Sequence, residues 1–291
     1  MAALVAAVGV AVVLLVGSNS DQPENVATTL SLRNLTHIHG IAVDPRNSAE
    51  LLLATHNGIF RTADGTTVAR VSASQDDFMG FSLDPADSQV IYASGHPSTG
   101  GSAGVIVSRD GGLTWERRSP GVSGPVDFHA MTVSRADPNL IFGYFAHTSS
   151  IQVSGDGGRT WSIASSPPGV VDLAASPEYT NVVYAATNSG LIVSQDGGES
   201  WQPTGPQGQP ATMVEAAPDG NVYAFVVGVG LLRAPASANV WNEVGDYISF
   251  GSALLHFAAD PDNRDRLYAV DDLGRIMVSG DRGASWVPWA G

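Results

Sequence analysis

From residue 39 onward, apolar residues fall into short runs of about five residues, separated by polar, glycine-rich turns. One set of runs ends in Asp-Pro or a related turn and recurs at intervals of about 40 to 50 residues. Its six members are His39–Val43, Met79–Leu83, His129–Val133, Val171–Ala175, Thr212–Ala216 and Leu255–Ala259. No helical periodicity is present after Val16, so each run is predicted to be a β-strand.

A second strand, usually carrying Tyr-Ala, is predicted after each first strand. These second strands are Leu51–Thr55, Val90–Ser94, Leu140–Ala146, Val182–Thr187, Asn221–Val226 and Arg266–Val270. A third apolar strand follows, as at Leu191–Val193. The tyrosines take one equivalent position in successive units, which indicates packing; they are Tyr92, Tyr144, Tyr184, Tyr223 and Tyr268.

An eight-residue pattern, Ser-x-Asp-x-Gly-x-Thr/Ser-Trp, follows the third strand in four units, and a degraded copy spans Thr62–Thr67. A sixth copy, near Trp241, has lost the Asp. The Asp can accept backbone N–H bonds across a tight turn, the glycines allow positive φ, and the Trp opens a fourth strand. We therefore interpret the repeated aspartates as turn-formers; they are Asp64, Asp110, Asp156, Asp196 and Asp281.

Six units of four strands predict an all-β fold, a six-bladed β-propeller of antiparallel blades over residues 30–291. Residues 28–32 could add a closing strand to the last blade. We expect a monomer.

Composition narrows the function. The net charge is −14, all 14 basic residues are Arg, and there is no basic stripe, which argues against nucleic acid. The absence of Cys excludes disulfides and thiolate metal sites. The apolar run Ala2–Val16 predicts a signal peptide or short membrane anchor over residues 1–18, followed by a linker over 19–29. We therefore expect an extracytoplasmic protein, secreted or anchored at the cell surface.

The repeated turn resembles the Asp-box (BNR) repeat of sialidase-like and sortilin-like propellers. More narrowly, HIHG at 37–40, Asp77–Phe81, Ser94–Pro97 and Val126–Met131 look like bacterial exported proteins labelled putative glycosyl hydrolase or exo-α-sialidase. That resemblance implies a glycosidase. A sialidase would need an Arg triad and an Arg-Ile-Pro motif; the motif is absent, and no Arg begins a first strand.

The histidines are not scattered. If His37 and His39 lie in a strand, they point to the same side. Alignment of the first strands puts His37, His39, Asp77, Asp127 and His129 of units 1 to 3 at matching positions on one face. Second strands run antiparallel to the first, so His56, His96 and His147 at their ends come to the same face. His56 and His147 are secondary candidates, because residues after a strand can point outward.

Imidazole with carboxylate suits a divalent transition metal such as Zn²⁺ or Cu²⁺. The sequence thus predicts a His/Asp site at one mouth of the central channel. Two other interpretations stay open, a hydrogen-bonded polar lining and a metal-free acid–base site. Asp77 and Asp127 would be the catalytic candidates of a glycoside hydrolase. The third class of function is a non-catalytic interaction module; partners would be a small polar ligand, a glycan or a protein.

Overall fold

The computed structural model describes residues 29–35, 37–238, 240–245 and 253–289. Across them, six antiparallel four-stranded sheets follow one another, and one further strand extends the first sheet. The prediction of an all-β six-bladed propeller is confirmed. Two single-turn 3-10 helices, Leu32–Asn34 and Ala146–Thr148, complete the elements.

The first and second strands of the blades match the repeat closely. The first strands are β2 Ile38–Val43, β6 Asp77–Leu83, β10 Phe128–Val133, β14 Val170–Ala175, β18 Ala211–Ala216 and β22 Leu254–Ala259. The second strands are β3 Leu51–Thr55, β7 Ile91–His96, β11 Ile141–Phe145, β15 Val183–Thr187, β19 Asn221–Val226 and β23 Leu267–Asp271.

The third and fourth strands of each blade flank the repeated turn. The third strands are β4 Gly58–Thr62, β8 Val105–Ser108, β12 Ser150–Ser154, β16 Gly190–Ser194, β20 Gly230–Pro235 and β24 Ile276–Ser279. The fourth strands are β5 Thr67–Arg70, β9 Glu116–Ser119, β13 Ser162–Ser165, β17 Gln202–Gln207, β21 Asn242–Glu243 and β25 Val287–Pro288.

The first strands form the inner ring. Each contacts the first strand of the next blade, and β22 contacts β2, so the ring is closed. Their free edges therefore surround a central channel. The second strands lie behind them and are buried along nearly their whole length, as Leu51, Leu52 and Leu53 illustrate.

Apolar wedges fill the spaces between the blades. Buried residues of the described chain group into clusters, and each cluster joins two neighbouring blades. The repeated tyrosines each belong to the wedge shared with the following blade; Tyr92, for example, packs with Phe128 and Ile141 of blade 3. Burying apolar area at every junction is the main force that holds the blades together.

Side chains of the first strands add one polar contact at five blade junctions, which we call the inner links. Each is a hydrogen bond between a side chain of one first strand and the backbone of the next. Ser82, Thr132 and Asp172 accept from the N–H groups of Val133, Ala175 and Val214. Thr212 and His256 donate to the carbonyl oxygens of Leu254 and Ile38. In the last of these, His256 Nε2–H donates to the Ile38 carbonyl oxygen at 2.7 Å and joins blade 6 to blade 1.

The repeated aspartates hold the turn between the third and fourth strands. In blade 2, Thr114 N–H and Ser108 Oγ–H donate to Asp110 Oδ1 at 2.9 and 2.8 Å, and Gly112 N–H donates to Ser108 Oγ. The same bonds recur around Asp156, Asp196 and Asp281, and a variant surrounds Asp64. Hydrogen bonds from Ser200 lower the pKa of Asp196 to about 2, so this carboxylate is ionised.

Three of the tryptophans that follow the turns bond their blade to the preceding one. Trp161 Nε1–H donates to Ser119 Oγ at 2.9 Å, and Ser119 in turn donates to the Gly158 carbonyl at 2.7 Å. Trp201 and Trp241 make the corresponding bonds to the preceding blade, to Ser165 and Thr204. Single hydroxyl groups therefore cross-link the rim at these three junctions.

The expected closing strand is placed differently. Thr29–Ser31 forms β1, but it pairs antiparallel with β5 at the outer edge of blade 1, not with the last blade. Blade 6 has four strands of its own, and it meets blade 1 through Trp289 against Gly65 and through the His256 link. The pattern of Thr29–Ser31 shows a strand but carries no information on its partner.

Residues 1–18 and the predicted linker up to residue 28 lie outside the described residues. Within the described chain, the helices are too short and too polar to cross a membrane.

We expect Ser119→Ala to lower the free energy of unfolding by about 0.5–1.5 kcal/mol, because the hydroxyl that joins the Trp161 N–H to the Gly158 carbonyl is lost and only their longer direct bond at 3.2 Å remains. Chemical denaturation followed by Trp fluorescence measures this change. Ser162→Ala, at an exposed position of β13, is the matched control and should change stability little. Equal losses in both variants would contradict a role for the hydroxyl in joining blades 2 and 3.

Candidate metal centre

A β-bulge at the start of the first strands positions the histidines. In blade 1, Ile38 pairs with Thr55 and Gly40 with Ala54, so His39 is left between them without a partner. Blades 3 to 6 carry the same bulge, with His129, Val171, Thr212 and Leu255 as the extra residue. A bulge bends the strand and re-aims the inserted side chain. It therefore presents residue 39, and its equivalent 129, at the mouth of the channel.

His37 reaches the same place by another route. It precedes β2 instead of lying in it, and its φ is 29°, in the left-handed region that residues with a Cβ avoid. The His37 and His39 rings nevertheless lie 5.5 Å apart between centroids. The two histidines are together as the i, i+2 spacing predicts, but the regular strand assumed for them is replaced by a left-handed residue and a bulge.

His39, His56 and Asp77 form the tightest part of the site. His39 Nε2 lies 3.2 Å from His56 Nδ1 and 3.3 Å from Asp77 Oδ1. His56 Nδ1 lies 3.0 Å from Asp77 Oδ2. His37, His39 and His56 each place a ring nitrogen within 4.8 Å of the other two. These four residues, the metal-site cluster, come from two neighbouring blades.

The site is sheltered but open on one side. The side chains of His39 and Asp77 are 13% and 17% exposed, whereas that of His56 is 45% exposed. Burial, together with the neighbouring histidines and against the attraction of Asp77, lowers the pKa of His39 to about 4. His39 is therefore neutral at pH 7, and its ring can offer a lone pair.

A second group lies in blades 2 and 3. His96 Nε2 and His129 Nε2 lie 3.0 and 3.3 Å from Asp127 Oδ2. His96 Nδ1 lies 3.0 Å from the Gly101 carbonyl oxygen, so Nδ1 carries a proton. The other ring nitrogen of His96, Nε2, faces the Asp127 carboxylate.

The pKa values of this second group depend on its contacts. The contact of His129 with Asp127 raises the pKa of His129. Burial alone would raise the pKa of Asp127, but the contacts with His129 and His96 outweigh burial and lower it. Asp127 is therefore an anion at neutral pH, held between two imidazoles.

In each of the carboxylates Asp77 and Asp127, one oxygen has no hydrogen-bond donor among the described residues. Asp77 Oδ1 and Asp127 Oδ1 are buried and accept no hydrogen bond from the described residues. Buried acceptors without a donor are uncommon in folded proteins and call for an explanation such as an ion.

His147 is not brought into either group. It lies in the 3-10 helix Ala146–Thr148, with its ring against Phe145. Among the described residues it makes no hydrogen bond or ion pair with another histidine or an aspartate of the mouth.

Gly95 and His256, which the sequence pattern does not assign to the site, help to position its residues. A Cβ on Gly95, whose φ is 134°, would lie 2.1 Å from the Asp77 carbonyl oxygen, so only glycine lets the end of β7 approach Asp77. His256 holds Ile38, between the two histidines of HIHG, through its inner link. A single glycine inside an apolar strand is a usable sequence signal for close backbone approach; the His256 contact has no local signal.

Comparisons with known proteins bear on the fold. No family model matches the sequence, and no curated protein matches it. A GH74 xyloglucanase from Xanthomonas campestris aligns over 89% of this chain and 46% of its own, at 20% identity and a TM-score of 0.60. A GH74 enzyme from Niastella koreensis aligns over 86% and 45%, at 15% identity and a TM-score of 0.63.

YCF48 bound to the D1 peptide aligns over 89% of this chain and 84% of its own, at 16% identity and a TM-score of 0.57. The chain spans less than half the length of the two GH74 enzymes. At these identities the likenesses establish the propeller fold alone; the sialidase-like and sortilin-like affinities stay predictions.

We expect His37→Gly to be about 1 kcal/mol more stable to unfolding than His37→Ala, because glycine adopts positive φ without the steric cost of a Cβ. Both variants lose the imidazole, so denaturation of the metal-free proteins isolates the backbone effect. At His147, which lacks positive φ, the same pair should show the opposite order. A glycine variant at residue 37 that is less stable than the alanine variant would contradict the left-handed conformation.

Proposed function

We propose that this protein is an extracytoplasmic propeller that binds a divalent transition-metal ion at the channel mouth, through His39, His56, Asp77 and His37. The observation that carries the proposal is the triangle of contacts at 3.2, 3.3 and 3.0 Å among the first three side chains. Ligands at about 2.0–2.1 Å from Zn²⁺ in a tetrahedron are separated by roughly 3.3 Å. Each of the three separations is thus close to the edge of a tetrahedral site, with Asp77 facing His39 through Oδ1 and His56 through Oδ2.

Hydrogen bonds alone account poorly for this triangle. The His39 Nε2 atom has two neighbours, and a single N–H can be directed at only one of them. The buried Oδ1 of Asp77 would still lack a donor. A cation at the centre satisfies both nitrogens and the carboxylate together.

The chemistry of the donors favours a borderline metal. Three neutral imidazoles and one carboxylate suit Zn²⁺, Cu²⁺, Ni²⁺ or Fe²⁺ better than Ca²⁺ or Mg²⁺, which take mainly oxygen ligands. Asp77 and the nearby anion Asp127 supply the negative charge, and the chain as a whole carries −14. Because His37 and His56 are exposed, a small polar ligand, a glycan or a protein side chain can approach the ion from solvent.

The metal proposal predicts that untagged protein binds about one equivalent of Zn²⁺ or Cu²⁺. His39→Ala and His56→Ala should each weaken binding by more than about 100-fold, since losing even an outer-shell partner of a metal ligand costs 10–100-fold. Elemental analysis of the purified protein and calorimetric titration of the stripped protein measure this.

His147→Ala is the matched control, because it removes a histidine of the same face that lies outside the cluster; its affinity should equal that of the unaltered protein. Metal-free protein whose melting temperature is unchanged by added Zn²⁺, Cu²⁺, Ni²⁺ or Fe²⁺ would rule the proposal out.

A glycoside hydrolase is the second candidate function. It is favoured by the unpartnered oxygens of Asp77 and Asp127, which lie in the same mouth. We expect any hydrolysis of aryl glycosides, sialosides included, to be abolished by Asp127→Asn and unchanged by Asp137→Asn, an aspartate of the β10–β11 turn. If neither metal nor glycoside engages the mouth, an interaction module is the remaining proposal, in line with the peptide-bound YCF48 structure.

A further inference from the structure

A cavity of about 420 Å³ fills the centre of the ring. Its walls are the first strands of all six blades, and it extends from His39 at one end to Arg135 and Pro261 at the other. Pockets that bind small molecules have volumes of about 300–1,000 Å³. The exposed surface of the wall is more polar than apolar, and Phe81, Met131 and Phe257 provide part of its apolar surface.

Five ionisable side chains line the channel away from its histidine mouth: Asp84, Arg135, Asp172, Glu215 and His256. Asp84 accepts the Ala86 N–H of its own turn at 2.8 Å, and Asp172 and His256 are fully engaged. Asp172 accepts N–H bonds from Leu173 at 2.9 Å and from Val214 at 3.0 Å. His256 donates to the Ile38 carbonyl oxygen. These two groups are explained by the inner links, since both connect neighbouring first strands.

Glu215 is different. It lies in the middle of β18 and lines the cavity, and its remaining accessible surface faces that cavity. None of the described residues donates a hydrogen bond to it. The carboxyl oxygens of Glu215 are open to the cavity, so the hydrogen bonds that the protein does not supply can come from whatever occupies that cavity.

The nearest cation, Arg135, does not pair with the Glu215 carboxyl. Arg135 uses its Nε–H to bond the Ala216 carbonyl at 3.3 Å, across the far end of the channel, and forms no ion pair within 4 Å of Glu215 among the described contacts. Burial, with Asp172 adding to it and Arg135 opposing it, raises the pKa of Glu215 to about 8. Burial also raises the pKa of Asp172 to about 7. The cavity therefore holds an excess of carboxyl groups that are short of positive charge.

We propose that the channel is a binding pocket for a small organic cation, a primary amine, whose ammonium group pairs with Glu215 and whose apolar part lies among Phe81, Met131 and Phe257. An ammonium supplies the donors that Glu215 lacks and the charge that the two carboxyls lack. Aromatic rings in the wall suit a cation as well as an apolar body. A metal ion is a poorer fit, since among the described residues the one grouping with metal-ligand spacing is at the mouth.

Amine binding in the channel does not depend on the proposed metal ion, and the experiment tests the two proposals separately. Metal-stripped protein is titrated calorimetrically with phenethylamine, with its neutral counterpart 2-phenylethanol and with its anionic counterpart 3-phenylpropionate. The titration is repeated in His56→Ala, which lacks the metal-site cluster but keeps the channel. We expect the amine to bind both proteins alike, and at least about tenfold more tightly than either counterpart, the difference that one uncompensated charge makes.

Binding of the amine should also release protons. At pH 7 Glu215 is mainly protonated and must ionise to pair with the ammonium, so close to one proton is released per amine bound. Affinity therefore rises with pH until about pH 8, while the amine itself stays charged. Buffers of different ionisation enthalpy measure the release. Asp172, which faces the same cavity, contributes to it, whereas Arg135 stays charged throughout.

Glu215→Gln keeps the shape of the side chain and should lower the affinity for phenethylamine at least about tenfold, abolish most of the proton release and leave the melting temperature equal or higher. Glu243→Gln, at an exposed glutamate of β21, should match the unaltered protein. The proposal is overturned if no saturable binding occurs, if the anionic counterpart binds best, or if Glu215→Gln binds the amine as well as before.

Discussion

The contact between neighbouring first strands is the constraint on which this structure depends. Among the described residues no strand is shared between blades, so the backbone ladders hold each blade but do not join the sheets to one another. Junctions are made by apolar wedges, by the inner links near the channel and by the Trp–hydroxyl bonds at the rim. The free edges of the first strands are thereby kept around a channel instead of pairing with another sheet.

The candidate site occupies the junction that lacks such an inner link. Five junctions are joined by a hydrogen bond to backbone, and between blades 1 and 2 the corresponding contact is His39 with Asp77. A metal ion held by His39, His56 and Asp77 would bridge two blades and complete the ring in the same way. Function and ring closure would then share one set of side chains, which explains why ionisable groups concentrate at this junction.

The repeat in the sequence predicted much of the fold, because each unit contains its own turn chemistry and its own alternation of strands. It also indicated the seven residues that the structure groups at one mouth, all of the eight candidates but His147, since equivalent positions in a ring face the same way. What it could not supply depends on contacts between distant residues. The bulge at His39 and the pairing of β1 with β5 depend on partner strands within blade 1, and the isolation of Glu215 depends on the first strands of other blades.

The pairing of β1 with its own blade has a consequence for the symmetry of the molecule. In some rings the last blade contains a strand from the other end of the chain, and the junction closed by that strand differs from the rest. Here the junction of blades 6 and 1 is closed by a wedge, an inner link and Trp289 against Gly65, without a strand from the other end of the chain. Only the junction of blades 1 and 2 differs, since it lacks an inner link. The fold should therefore accept circular permutation, with new ends opened at a junction that has an inner link and blade 6 joined to blade 1.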